Sequence, residues 1–211
     1  MTAPMTMNRV IHGAVRRDLA RLTQALDRAP DGDRARAQQL QQVYTNLHQQ
    51  LTVHHEGEDE HVFPWLASEG IDAELLGAME SEHEAMSAAL ADSSASMAAS
   101  GRTGSAADAA AARAALVRTT EVVERHLTHE EHDLEPMINA RLESPGWKSV
   151  EKKLRRQPPR TAGRFFAWVT DGMGDAECSY FRATVPPPVT YGLAHTFGRG
   201  YYKDVAPAWR P

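Results

Sequence analysis

Two stretches of this chain place a histidine and a glutamate four residues apart within similar surroundings. HHEGEDEHVFPWL covers residues 54–66, and HLTHEEHDLEPMI covers residues 126–138. We call them the first and the second repeat. Aligned on their prolines, His54 matches His126 and Glu58 matches Glu130. Residues i and i+4 of an α-helix lie about 40° apart on one face. Two such helices facing each other therefore predict a pair of metal ions held by imidazoles and carboxylates.

Four long amphipathic helices are predicted to position these pairs. Apolar residues recur at three- and four-residue steps over about 6–28, 33–68, 72–100 and 106–142. Because Pro64 falls late in the second helix, we expect a kink or an end near residues 62–63. The segment SGRTGS at 100–105 predicts a flexible break. Short polar turns between long helices favour an all-α, antiparallel up-down four-helix bundle over residues 1–142.

The remaining segment, residues 143–211, differs in composition. It carries eleven of the fourteen aromatic residues and several consecutive prolines. Short helices are predicted at about 148–156 and 161–171, with irregular chain beyond them. The aromatic content argues against disorder. We expect this C-terminal extension to pack on the bundle, on a second copy of the chain, or on another protein partner.

The paired histidines and glutamates lie in the middle of apolar helix faces. A lone histidine on a helix is usually a packing or surface residue, and buried His–Glu hydrogen bonds are the alternative explanation here. Burying an unpaired ionised carboxylate, however, costs several kcal/mol. Two further histidines, His12 on the first helix and His83 on the third, also share faces with apolar residues. Imidazoles and carboxylates without thiolates suit iron, manganese or zinc.

These motifs resemble the hemerythrin-like family, also called the HHE cation-binding domain. The resemblance covers about residues 8–142 and rests on His12, on HHEGE in the first repeat, on EHE around His83 and on HLTHE in the second repeat. It implies a four-helix bundle with two non-heme iron ions bridged by carboxylates and oxo or hydroxo groups. Zinc or manganese is the less favoured cofactor. The implied ligands are His12, His54, Glu58, His83, His126 and Glu130.

The sequence departs from the oxygen-carrying members of that family at two ligand positions. They have a second histidine on helix three, where this chain has Ser87. His55 is the candidate replacement ligand, with water or nothing as alternatives. Their last acidic ligand follows the final histidine by five residues, which would select Glu131. Glu130 is better aimed at the site and is preferred, with Glu131 as the fallback. His61 and His129 are candidate proton donors near the metals.

A site with fewer histidines than an oxygen carrier favours redox turnover over storage. The expected ligands are O2, peroxide or nitric oxide, and the expected chemistry is catalase-like or oxidase-like. One alternative is a sensor of O2, nitric oxide or redox state that signals through the extension. Another is an iron-binding or structural zinc module. The oxidant, the electron donor and any organic substrate stay open.

Composition excludes several other classes. The 23 basic and 28 acidic residues give a net charge of −5, which offers no basic surface for nucleic acid. The single cysteine, Cys178, excludes an internal disulfide and a cysteine-rich metal site. The sequence shows no apolar run of membrane-spanning or signal-peptide length. We therefore expect a cytoplasmic protein without membrane contacts.

Overall fold

A computed structural model of the protein describes residues 4–210. Its N-terminal part is the predicted helical bundle, and residues 4–210 contain no β-strand. The four long helices are α1 (Met7–Asp27), α2 (Arg34–Gly57), α4 (Ala73–Thr103) and α5 (Ala106–His129). Two short helices, α3 (Phe63–Ser68) and α6 (Glu135–Asn139), prolong α2 and α5. The all-α bundle predicted from the sequence is confirmed.

The helix starts follow from polar side chains that cap free backbone N–H groups. Each of the four long helices begins after such a residue: Thr6, Asp33, Asp72 and Ser105. The predicted flexible break at 100–105 is wrong in extent, because α4 continues to Thr103. The turn itself is Gly104 and Ser105. Gly104 has φ of 68°, and a Cβ there would lie 2.6 Å from the Arg34 backbone nitrogen. Only glycine fits this close approach between the two turns at that end of the bundle.

Both repeats contain a π-helical turn at the same place. One spans Glu58–Val62 between α2 and α3, and the other spans Glu130–Leu134 between α5 and α6. Each begins at the repeat's glutamate and lies directly before the repeat's proline segment. A proline ring clashes with the carbonyl four residues earlier and removes one N–H donor. The chain accommodates it by widening the preceding turn instead of ending the helix. The disturbance expected near residues 62–63 is therefore a π turn.

The extension is more helical than the sequence predicted. It contains α7 (Pro145–Leu154), α8 (Pro159–Val169), α9 (Asp175–Thr184), α10 (Pro187–Thr196), α11 (Arg199–Asp204) and a 3₁₀ turn (Ala206–Trp209). Three of these helices begin with proline. Proline at the first helical position costs little, since its missing N–H would have no partner there. Pro187 thus starts α10 where we expected irregular chain, whereas α7 and α8 overlap the two predicted short helices.

The extension packs along α1 and α2 and across the end of the bundle. Trp168 is fully buried, and its Nε1–H donates to Asp18 Oδ2 of α1 at 2.8 Å. Arg17 binds the other oxygen of Asp18 at 2.9 Å. At the bundle end, the Trp147 ring of α7 lies 5.3 Å from that of Trp65. Apolar side chains of both parts belong to one core cluster. None of the helices in residues 4–210 combines the length and apolar content that crossing a bilayer requires.

Candidate metal centre

The residues predicted as ligands meet inside the bundle in two adjoining groups. The first contains His55, Glu58, His83 and His126, and the second contains His12, His54 and Glu130. Within each group the candidate ligand atoms all lie within 4.8 Å of one another. Six of these residues are buried, and the His54 side chain is 9% exposed. Helices α1, α2 and α4, together with the second repeat, therefore all contribute to one polar cluster in an apolar core.

Each glutamate lies between the two groups. Glu58 Oε1 is 3.3 Å from His54 Nε2, and its Oε2 is 3.6 Å from His83 Nε2. Glu130 Oε2 is 3.2 Å from His12 Nε2 and 3.8 Å from His126 Nε2. Both carboxylates thus reach imidazoles of both groups. This is the arrangement that two ions sharing carboxylate ligands would need.

The imidazoles present their Nε2 atoms to each other in pairs. His12 Nε2 lies 3.2 Å from His54 Nε2, and His83 Nε2 lies 3.2 Å from His126 Nε2. Two lone pairs at that distance repel unless a proton or a cation lies between them. If both Nε2 atoms of a pair lay about 2.1 Å from one ion, their 3.2 Å separation would correspond to an N–metal–N angle of about 100°. That angle lies near the octahedral and tetrahedral values, so each pair fits a shared ion.

Carboxylates outside the cluster fix the direction of three rings. The Nδ1–H of His12 donates to Glu131 at 2.8 Å, and the Nδ1–H of His83 donates to Asp59 at 2.7 Å. The Nδ1–H of His126 donates to Glu82 at 2.9 Å. When the imidazole is neutral, such a partner selects the tautomer whose Nε2 is a free acceptor directed inward. The protein therefore orients these rings before any ion binds.

The outer partners follow the symmetry of the repeats. Asp59 and Glu131 are the residues that directly follow the two glutamates, and they were already aligned in the sequence. Each holds the ring of a single-histidine helix: Asp59 holds His83 of α4, and Glu131 holds His12 of α1. Sequence reasoning missed this role and also missed Glu82. The sequence signal for Glu82 was its position directly before His83 in the EHE motif.

The second group contains one strongly basic imidazole. Burial lowers the pKa of His12, but the carboxylates of Glu130 and Glu131 outweigh it and raise the pKa to about 9. Burial, assisted by the charge on His12, lowers the pKa of its neighbour His54 to about 3. These shifts favour a positively charged His12 beside a neutral His54. Burial also lowers the pKa values of His55 and His126.

The pKa values of the two glutamates are also shifted in opposite directions. Burial raises the pKa of Glu58 well above its usual value, and the nearby charge of Glu130 raises it further. Burial acts in the same direction on Glu130, but the charge on His12 outweighs it and lowers the pKa of that carboxyl. Among residues 4–210, three buried atoms of the cluster find no hydrogen-bond partner: His55 Nε2, Glu58 Oε2 and Glu130 Oε2. Buried polar atoms without a protein partner favour cations within the cluster.

The structure also separates the remaining candidates. Ser87 is exposed on α4 and belongs to neither group, whereas His55 is 7% exposed and lies 4.2 Å, ring to ring, from His83. Glu131 lies outside the groups, where it binds His12 and Arg16. His61 lies outside both groups, and His129 binds Glu82 at 2.9 Å.

Comparison with known protein families agrees with this geometry. The model of the hemerythrin HHE cation-binding domain matches residues 7–138. The chain belongs to this family. Searches of curated proteins and of solved structures found no match. The matched range runs from the start of α1 into α6, so this hemerythrin-like domain contains both groups, and the extension lies outside it. The domain is one that binds cations, and its two His/Glu groups can hold metal.

Proposed function

We propose that the hemerythrin-like domain holds two non-heme iron ions and turns over O2 or peroxide. The observation that supports this most directly is the position of Glu58 and Glu130, each of which reaches imidazoles of both groups. A mononuclear site would need only one group. The nitrogen and oxygen donors suit iron, and also zinc or manganese, which we consider less favoured. Bound iron would supply electrons by alternating between Fe(II) and Fe(III).

The two groups offer different numbers of ligands. His12, His54 and Glu130 form a three-residue group, whereas the other group has four residues, with His55 in place of the histidine expected on helix three. An ion with fewer protein ligands keeps more positions for small molecules. We therefore assign binding of the oxidant to the three-residue group. The assignment of all seven residues as ligands is part of this proposal.

The surrounding residues orient the ligands and connect them to solvent. Glu82 binds His126 and His129 with its two oxygens, both at 2.9 Å. The His129 side chain is 30% exposed, so this chain of hydrogen bonds runs from the surface to the centre. Phe63 stacks on His83 with 5.4 Å between ring centroids and keeps water from that side.

Metal content tests the site. Full-length protein is reconstituted with Fe(II) without oxygen, desalted and analysed for metal. We expect about two irons per chain, and His126→Ala should lose at least one. His132→Ala is the matched control, because the His132 side chain is 82% exposed in the same repeat and should leave iron content unchanged. Retention of less than one iron per chain would contradict the proposal.

Turnover is tested separately on the same preparations. Peroxide is added to iron-loaded protein, and oxygen release and peroxide loss are followed, with O2 consumption measured alongside. We expect turnover that disappears in His126→Ala and persists in His132→Ala. Iron-loaded protein that reacts with neither oxidant would leave the metal site intact and remove the enzymatic part of the proposal.

A sensory role is the second candidate, because the extension touches the helix turn that carries His12. The carboxylate of Glu177 in α9 packs directly on Gly13, the residue after His12. A small movement of His12 would therefore reach α9. In this function the extension transmits the iron state to a second copy of the chain or to another protein.

Hydrogen exchange distinguishes the two functions. Amide protection of α9 and α10 is compared between Fe(II) and Fe(III) protein. A sensor should show a change there, and Gly13→Ala, which displaces Glu177, should remove it. Equal protection in both oxidation states would exclude this signalling route and leave the enzymatic proposal unaffected.

A further inference from the structure

The extension contains an open cleft away from the metal centre. It lies between α9 and α10, has a volume of about 420 Å³, and is closed below by the end of α8. Its volume falls within the range of small-molecule sites in proteins, about 300–1,000 Å³. The cleft lies beyond residue 138, outside the matched family domain.

The floor of the cleft is apolar, and one wall is aromatic. Phe181 and Ala194 are both 3% exposed and form part of the floor. On the wall, the His195 ring lies 4.2 Å from that of Tyr191 and 5.1 Å from that of Tyr202, nearly parallel to the latter at 8°. Tyr191 is 68% exposed, so much of its ring surface is open to solvent. A flat ring is the shape that this wall would accept.

The polar groups of the cleft favour an anion. Arg182 lies at its rim, together with His195, and no carboxylate lines the cleft among the residues that the structure describes. Thr190 contributes a hydroxyl whose oxygen is buried and has no hydrogen-bond partner within residues 4–210. A guanidinium and a free hydroxyl are suitable partners for a carboxylate.

We propose that this cleft binds a small aromatic carboxylate, with its ring on the Tyr191–His195 wall and its carboxylate on Arg182 and Thr190. The apolar floor would bury the ring edge, and the arginine would select acids over neutral or cationic analogues. This site is independent of the iron chemistry proposed above.

Calorimetric titration of the full-length, iron-loaded protein tests the site with benzoate, benzamide and octanoate as probes. We expect benzoate to bind once per chain, with a Kd of about 0.1–1 mM for a ligand of this size. Benzamide, the neutral analogue, should bind about tenfold more weakly because it lacks the charge. Octanoate should also be weaker, since it cannot stack. Equal affinity for benzoate and benzamide, tighter binding of octanoate, or no saturable binding would overturn the proposal.

Substitutions locate the binding. Arg182→Gln should weaken benzoate binding about tenfold or more. Thr190→Val should weaken it a few-fold without lowering the thermal midpoint, because the hydroxyl has no partner to lose. Arg160→Gln, an exposed arginine of α8 outside the cleft, is the matched control and should bind normally. An unchanged Kd in Arg182→Gln would overturn the assignment.

One variant excludes binding of benzoate to iron. His54→Ala removes a proposed metal ligand that does not line the cleft and should bind benzoate like the parent protein. Loss of benzoate binding in His54→Ala, with Arg182→Gln unaffected, would place the carboxylate at the metal centre and overturn the proposal.

Discussion

The two repeats differ at the position directly after the histidine. Residues 54–66 and 126–138 both supply a histidine, a glutamate, a π turn and a proline, yet the residue after the histidine is His55 in the first repeat and Leu127 in the second. Leu127 is fully buried in the bundle core, whereas His55 joins the four-residue group. The polarity of a single buried side chain thus distinguishes a four-residue group from a three-residue group.

A second difference concerns protons. Glu130 in the second repeat faces the basic His12, whereas burial raises the pKa of its counterpart Glu58 in the first. The surroundings therefore favour the neutral form of Glu58 and the ionised form of Glu130. The backbone is nearly symmetric, and the electrostatics are not. Four substitution or titration experiments test this contrast between the repeats.

The largest expected difference in unfolding free energy is between the Glu130→Gln and Glu58→Gln variants. Glu130 is the ionised partner of a buried imidazolium, and removing one partner of a buried pair costs about 3–5 kcal/mol. Burial raises the pKa of Glu58, so a neutral amide of similar shape should cost less stability there, below about 1.5 kcal/mol. Urea unfolding of chelator-treated protein at pH 7 measures both values. Equal losses would show that the two carboxylates carry the same charge.

The His55→Leu substitution gives the first repeat the residue found in the second repeat. It should weaken metal binding while raising the stability of the metal-free protein. Metal affinity should fall by about 100-fold or more, since loss of an outer partner alone costs 10–100-fold. The metal-free protein should become slightly more stable, because the unpartnered Nε2 of His55 is removed from the core. Competition with a chelator gives the first value and urea unfolding gives the second. Unchanged affinity would remove His55 from the ligand set.

Much of this centre is predictable from the sequence because ligand geometry on helices is local. The spacing of His54 and Glu58 sets their common face, and the repeat extends the same argument to His126 and Glu130. The partners of the rings were harder to predict. Glu82 meets His126 across 44 residues of sequence, a contact that depends on how α4 packs on α5. The extension was harder still, because α9, α10 and α11 lie where the sequence predicted irregular chain, and Pro187 starts one of them.

The charge difference between His12 and His54 should give the metal-free protein a stability maximum near pH 6–7. Above about pH 6.5 His12 loses its proton in the unfolded chain, whereas it keeps the proton up to about pH 9 in the folded chain. Stability therefore falls as the pH rises through that interval. Below about pH 6.5 the unfolded chain binds a proton at His54, whereas the folded chain binds it only near pH 3. Stability therefore also falls as the pH is lowered. The loss on the alkaline side should be of order 2–3 kcal/mol at pH 9.

Urea unfolding of chelator-treated protein between pH 5 and 9 measures this profile. The Glu131→Gln variant is the control, because it removes one of the carboxylates that raise the pKa of His12. Its alkaline slope should be shallower than that of the parent protein. A profile that is flat from pH 6.5 to 9 in the parent protein would contradict a proton held on His12.

The smallest contrast is expected between the two carboxylates that hold the imidazoles from outside. Glu131→Gln and Asp59→Asn each weaken the partner of one ring, and such changes cost about 10–100-fold in metal affinity. The effect should be larger for Glu131, whose side chain is 16% exposed and bound by Arg16, than for Asp59, which is 46% exposed and can be replaced by water. Chelator competition at pH 7 gives both affinities, with Glu60→Gln as an exposed control in the first repeat. A larger loss in Asp59→Asn would mean that the four-residue group depends more on its outer partner than the three-residue group does.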